Sequence, residues 1–215
     1  LMEEDEKKGM IVFTKYSPFS VVDVVIENYE GEEYNTPRVV SLCRCGKSKN
    51  KPFCDGTHGT IDFNNEREEE KLRGLKTYEC DKITVYYDKY LCKHIGKCTH
   101  GYPEVFNADK IPWIEPKSAN NLDKLIEVIK KCPSGALSYK LEDGSRETVY
   151  HSEQKIKIEK NGSINITGGI SLIDDNKSDV ILDSKEHYSL CRCGASKHKP
   201  FCDGTHIKIE FDGQK

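Results

Sequence analysis

Residues 41–63 read SLCRCGKSKNKPFCDGTHGTIDF, and residues 189–211 read SLCRCGASKHKPFCDGTHIKIEF. The two stretches differ at five of 23 aligned positions and lie 148 residues apart, so the chain contains an internal duplication. In the first copy Cys43, Cys45, Cys54 and His58 are spaced C-x-C-x8-C-x3-H, and Cys191, Cys193, Cys202 and His206 repeat that spacing. Three thiolates and one imidazole make a four-donor set that suits zinc or a [2Fe–2S] cluster. Structural zinc usually takes cysteine pairs spaced C-x2-4-C, a habit that C-x-C does not share. Two cysteines one residue apart can instead grip one iron, leaving the later Cys and His for the other.

These residues resemble the signature of the CDGSH iron–sulfur family, also called NEET proteins, over about 23 residues in each copy. In that family the three Cys and the closing His ligate a [2Fe–2S] cluster. The resemblance therefore assigns one cluster to Cys43, Cys45, Cys54 and His58 and a second to Cys191, Cys193, Cys202 and His206. Thr57 and Thr205 stand where the family name has Ser, and a small hydroxyl residue is kept. Gly46, Gly194, Gly56 and Gly204 permit tight backbone approach. Asp55 and Asp203 are placed to cap a short helix. Arg44, Lys47, Lys49 and Lys51 crowd the first site, and Arg192, Lys197 and Lys199 the second. A solvated basic face is the plain expectation for these side chains; docking of an acidic redox partner is the functional one.

Short apolar alternations precede each motif: Phe19 to Ile26 and Arg38 to Leu42 before the first, and Lys155 to Ile158, Ile164 to Ile173 and Val180 to Asp183 before the second. Asn161-Gly162 signals a hairpin turn. The family resemblance implies a β-rich cap, usually built from two copies in a dimer. One chain with two copies is expected to supply both halves as a monomeric, intramolecular pseudo-dimer.

A second constellation lies between the copies. Cys92-x5-Cys98 is followed, after 33 residues, by Cys132-Pro133. Bacterial ferredoxins use C-x2-C-x2-C and a remote C-P. Here Ile95 occupies the middle position and cannot ligate, while His94 sits one residue short of it. The segment from Tyr78 to Leu141 resembles the divergent single-cluster 4Fe–4S ferredoxin family. That resemblance implies a [4Fe–4S] cluster held by Cys92, Cys98, Cys132 and His94, or a [3Fe–4S] cluster held by the three sulfurs alone. A strand is expected over Lys82 to Tyr87, and a helix from Ser118 as N-cap through Lys131, with Leu122, Leu125, Ile126 and Ile129 on its apolar face. Cys80 reads as a buried structural thiol, Trp113 as packing over this core, and His100, His151, His187 and His198 as surface residues.

The fold expected is α+β: residues 1–64 as the first repeat, 65–78 as a linker that includes the charge run 66–71, 79–141 as a small ferredoxin-like insertion, and 142–215 as the second repeat. Hydrophobic residues make up 36% of the chain and charged residues 32%, a lean core to which bound metal is expected to contribute. A net charge of −3 gives no nucleic-acid footprint. No apolar run reaches the roughly 18 residues of a membrane span. The acidic stretch Leu1 to Met10 has no signal-peptide core, so a soluble cytoplasmic protein is expected. Three clusters would use nine of the ten cysteines, which favours metal ligation over a secreted disulfide framework. No nucleotide loop or catalytic triad appears. One-electron transfer to a redox partner is the leading expectation, with no enzymatic activity. Cluster storage and delivery to apo-proteins is the second, and a structural zinc module the third.

Overall fold

A computed structural model of the chain describes residues 9–64, 75–146, 150–175 and 186–214. The first half contributes four short strands: β1 (Met10–Val12), β2 (Phe19–Val22), β3 (Val25–Glu27) and β4 (Val39–Leu42). The middle contributes β5 (Leu75–Glu79), β6 (Ile83–Asp88), a short helix α1 (Lys97–Gly101), the longer helix α2 (Leu122–Lys130) and β7 (Leu137–Leu141). The last part contributes β8 (Lys155–Ile158), β9 (Ile164–Thr167), β10 (Ser171–Ile173), β11 (Tyr188–Leu190) and the terminal turn of helix α3 (Thr205–Lys208).

Strand pairing shows how the two repeats combine. One sheet has the order β10-β1-β2-β4 and another β11-β9-β8-β3. Each therefore takes three strands from one repeat and a fourth from the other. The exchanged strands pair in parallel, β10 on β1 and β3 on β8, whereas all other pairs in these sheets are antiparallel. This is the arrangement of a two-fold dimer made within one chain. The insertion forms its own antiparallel sheet, β5-β6-β7, with α2 packed on β7.

The strand exchange has a local cause. The alternation from Phe19 to Ile26 reads as one strand but is broken at Asp23, which takes a left-handed φ of 54°. Its carboxylate accepts two bonds from Arg38 Nε, at 2.8 and 3.0 Å, and its N–H donates to the Arg38 carbonyl. The chain turns there, and Val25–Glu27 joins the other sheet. In the second repeat Gly168 and Gly169, both at positive φ, break the Ile164–Ile173 alternation in the same place. β8 and β9 form the hairpin signalled by Asn161-Gly162.

The helix begins later than its sequence signal. Ser118 ends a 3-10 turn, and the N-cap is Asn121, whose side-chain oxygen accepts from the Lys124 N–H at 3.0 Å. Val128 joins Leu125 and Ile129 on the buried face, while Leu122 and Ile126 are only half-buried. Trp113 packs edge-on to Tyr87 and beside Phe106, as expected. Cys80 is half-buried against the core, not fully enclosed. The charge run 66–71 and the alternation 180–183 lie outside the described residues.

Candidate metal centres

Each motif is a loop folded back on its own strand. The Cys43 N–H donates to the Pro52 carbonyl and the Cys54 N–H to that of Ser41; Cys191 with Pro200 and Cys202 with Ser189 repeat this. Asp55 Oδ2 accepts from the Lys49 N–H and Oδ1 from that of Thr57, and Asp203 does the same for Lys197 and Thr205. The aspartates thus close the loop and reach the first residue of the helical turn, although the N-cap positions are Gly56 and Gly204. Ser48 and Ser196 each tie the loop to the carbonyl of a phenylalanine, Phe53 and Phe201.

The donors fall into close pairs. Cys43 and Cys45 Sγ are 3.7 Å apart, and Cys191 and Cys193 Sγ 3.6 Å. His58 Nδ1 lies 3.2 Å from Cys54 Sγ, and His206 Nδ1 3.3 Å from Cys202 Sγ. Two sulfurs on one tetrahedral ion with bonds of about 2.3 Å would be about 3.8 Å apart, so each pair is set to hold one metal atom. The Cys43 thiol is pushed down by the Cys45 thiol and by the N–H groups of Ser48, Gly46 and Cys45; Cys191 is pushed down by Cys193 and by the matching N–H groups of Ser196, Gly194 and Cys193. The partner thiols Cys45 and Cys193 are pushed up in turn, so each pair favours one thiolate, the form that suits metal ligation.

The two sites touch. Cys45 and Cys193 form an antiparallel bridge, and a Cβ added at Gly46 would meet the Cys193 carbonyl oxygen at 2.3 Å. The basic residues between the paired cysteines are not solvated as expected: Arg44 is 3% exposed and Arg192 1%. Arg44 Nη1 donates to the Thr14 and Ser17 carbonyls and its guanidinium lies over Phe13 and Phe19. Arg192 donates to the carbonyls of Glu159, Lys160, Gly162 and Gly213. Their function is to tie loops together, and burial pushes both guanidinium groups below their ordinary range.

The Cys–His edge of the second site is more enclosed than that of the first, although Cys193 is half-buried where Cys45 is buried. His206 is buried and His58 half-exposed; Cys202 is buried and Cys54 half-buried. Burial pushes the Cys202 thiol up to about 12 and the His206 imidazolium down. The cover comes from the insertion. The Lys93 carbonyl lies 2.4 Å from where a Cβ on Gly204 would be. Tyr90 stacks on His198, so His198 is no free surface residue, and meets Phe201 edge-on.

In the insertion, Cys92 and Cys132 lie near enough to Cys98 for their charges to act on it. The Cys98 thiol is pushed up to about 11, first by burial and then by the charges of Cys132 and Cys92. A cationic centre bound at Cys98 would offset both the burial and the neighbouring sulfur charges that disfavour its thiolate. His94, at φ 53°, places Nδ1 3.8 Å from Cys92 Sγ. His100 is turned to the Gly96 carbonyl at 2.7 Å. The buried Tyr87 hydroxyl faces Cys92 and Cys98 and is raised by burial and by both sulfurs.

The loops that carry Cys92 and Cys132 are both anchored to the second repeat by buried polar groups. Lys93, 1% exposed, donates from Nζ to Glu159, Ser163 and Asn165 at 2.7, 2.8 and 3.1 Å. Burial alone would raise the Glu159 carboxyl, but the Lys93 ammonium overrides it and holds the group at about 2. His187, expected at the surface, is 1% exposed, with Nε2 2.8 Å from the Cys132 carbonyl and Nδ1 2.6 Å from Glu186 Oε2. His151 approaches the same pair, and the three donor atoms lie within 4.8 Å of one another. Both His187 nitrogens are already engaged and Glu186 Oε1 accepts the His151 and Gly168 N–H groups, so this cluster is a hydrogen-bonded junction.

Cys3His sets in duplicate and a three-sulfur set between them define an iron–sulfur protein, and comparison with known proteins agrees. The family model described as iron-binding zinc finger CDGSH type matches twice, at residues 17–59 and 161–207, and the divergent 4Fe-4S mono-cluster model matches residues 78–142 between them. The uncharacterized protein YjdI of Escherichia coli K12 is 39% identical over 67 residues, 31% of this chain and 87% of the relative; its counterpart in strain O157:H7 gives the same figures. No solved structure matches the chain. The chain belongs to the CDGSH iron–sulfur family, with a divergent 4Fe-4S mono-cluster segment inserted between its two motif copies. No helix among the described residues is long and apolar enough to cross a membrane.

Proposed function

We propose that this chain is a one-electron carrier with two [2Fe–2S] centres and one four-iron centre in a single monomer, and that it is not an enzyme. The observation that supports this most is the contiguity of the three ligand sets. Cys45 bridges Cys193, and the Lys93 peptide, between Cys92 and His94, packs on Gly204, between Cys202 and His206. The order is therefore first motif, second motif, insertion.

Division of each Cys3His set into two close pairs suits two irons better than one zinc ion, which would draw all four donors equally together. Bound clusters would supply one-electron redox chemistry. The chain supplies N–H donors to the sulfurs, an imidazole on one iron of each [2Fe–2S] site, and partial exclusion of water, all of which tune potential. His ligation places the two [2Fe–2S] centres above an all-Cys plant-type ferredoxin. His94, whose Nδ1 lies 3.8 Å from the Cys92 sulfur, is the fourth ligand of the middle site. Ten unpaired thiols suit a reducing compartment such as the cytoplasm.

A redox titration of anaerobically purified protein, followed by EPR, tests this reading. Three reversible one-electron steps are expected; irreversible bleaching on reduction contradicts it. A second reading, cluster delivery to an apo-protein, is favoured by the half-exposed His58 and Cys54 edge of the first site. It predicts that an apo-acceptor removes iron from the first site while the second and middle sites stay loaded.

A further inference from the structure

A cavity of about 810 Å³ lies at the junction of the insertion and the second repeat. Its walls come from both units: α1 and α2 on one side, β8 and β9 on the other. Six lysines line it, Lys97, Lys124, Lys130, Lys131, Lys155 and Lys157. The concentration is unexpected in a chain of net charge −3. Glu127 is the one carboxylate in the lining, and Lys131 pairs with it. Lys155 is held by Glu27 and Glu153, and Lys124 lies over the Tyr102 ring. Among the described residues Lys97 and Lys157 have no carboxylate partner, one on each side of the junction.

A volume of this size is that of a small-molecule site, typically about 300–1,000 Å³. No arginine lines it. Lysine binds phosphate as a compact charge on a flexible stem, and lysines on facing walls suit a ligand that carries more than one anionic group. We infer that this cavity binds a small molecule carrying two or more phosphate groups, with Lys97 and Lys157 clamping it from opposite walls. The ligand would sit beside the middle sulfur set: Lys97 precedes Cys98, and the lining residue Pro133 follows Cys132. Binding itself does not depend on the electron-carrier reading.

The test is calorimetric titration of the cluster-loaded protein with inorganic pyrophosphate and with tripolyphosphate at about 0.15 M salt, where unspecific surface attraction is largely screened. Saturable binding at one site per chain is expected, tighter for tripolyphosphate. Lys97→Gln with Lys157→Gln should weaken it by about tenfold or more, since each lysine makes a charge-assisted contact. Lys76→Gln with Lys82→Gln, two exposed lysines outside the cavity, should leave it unchanged. Visible absorption of each variant checks that it is folded and loaded. Absence of saturable binding in loaded wild-type protein, or equal weakening by both pairs of substitutions, overturns the inference.

Discussion

Gly56 and Gly204 occupy the same place in the two motifs, yet alanine should act very differently on them. Both have left-handed φ values, 88° and 85°, so either substitution carries a backbone strain of about 1–2 kcal/mol. At Gly56 an added Cβ meets nothing within 4 Å. At Gly204 it would lie 2.4 Å from the Lys93 carbonyl oxygen, where ordinary contact begins at 3.4 Å, so that carbonyl must retreat by 1.0 Å. It is poorly able to do so, because the Lys93 side chain is fixed by Glu159, Ser163 and Asn165. Overpacking of this kind adds about 1–3 kcal/mol. Gly204→Ala should therefore melt on the order of 5 °C below Gly56→Ala at roughly 2–4 °C per kcal/mol. It should also loosen the middle site, because Lys93 lies between Cys92 and His94. Thermal melts of the loaded variants, followed by far-UV dichroism and by visible absorption, give both numbers. Equal melting of the two variants would refute the claim that the insertion seals the second motif.

Other perturbations probe the remaining contacts. Gly46→Ala places a Cβ 2.3 Å from the Cys193 carbonyl oxygen, so it should empty both CDGSH sites, whereas iron loss confined to the first would contradict the contact between motifs. Acid should strip the sites in two steps. A proton and iron compete for the same imidazole nitrogen, and burial lowers the His206 pKa, so the second site should persist to a lower pH than the first, with its half-exposed His58. A single coincident loss of absorbance and EPR signal would count against that asymmetry. Lys93→Met removes the cation from the Glu159 carboxylate and should cost about 3 kcal/mol in urea unfolding at neutral pH, less than a fully buried pair because Glu159 retains some exposure. An unchanged midpoint would show that this pair does not join the two units.

Much of the candidate site was legible because its residues are contiguous in sequence. C-x-C-x8-C-x3-H names the Cys and His side chains that the structure brings into close pairs, and repetition of a whole motif implies a pseudo-dimer. Strand exchange was not legible, because it depends on the Asp23 φ of 54° and on the Gly168-Gly169 turn, which a period-two pattern cannot report. Arg44 and Arg192 were misread for a related reason. Charge predicts solvent exposure, but a guanidinium with enough carbonyl acceptors can be buried, and those acceptors lie up to 33 residues away. The anchors Lys93 and His187 depend on partners 55 to 72 residues distant, and no local spacing announces them. Val128 stands three residues after Leu125 and beside Ile129, on the same helix face, so the periodicity could have included it.

Metal content bears most directly on the whole account. Protein purified without oxygen should be red-brown and contain about eight irons and about eight acid-labile sulfides per chain, two of each per [2Fe–2S] site and four in the middle. EPR after reduction should show two kinds of [2Fe–2S] environment together with a third centre. His94→Ala should convert the third to a three-iron centre that is EPR-active when oxidised. A colourless protein holding zinc and no labile sulfide would contradict the account at its base.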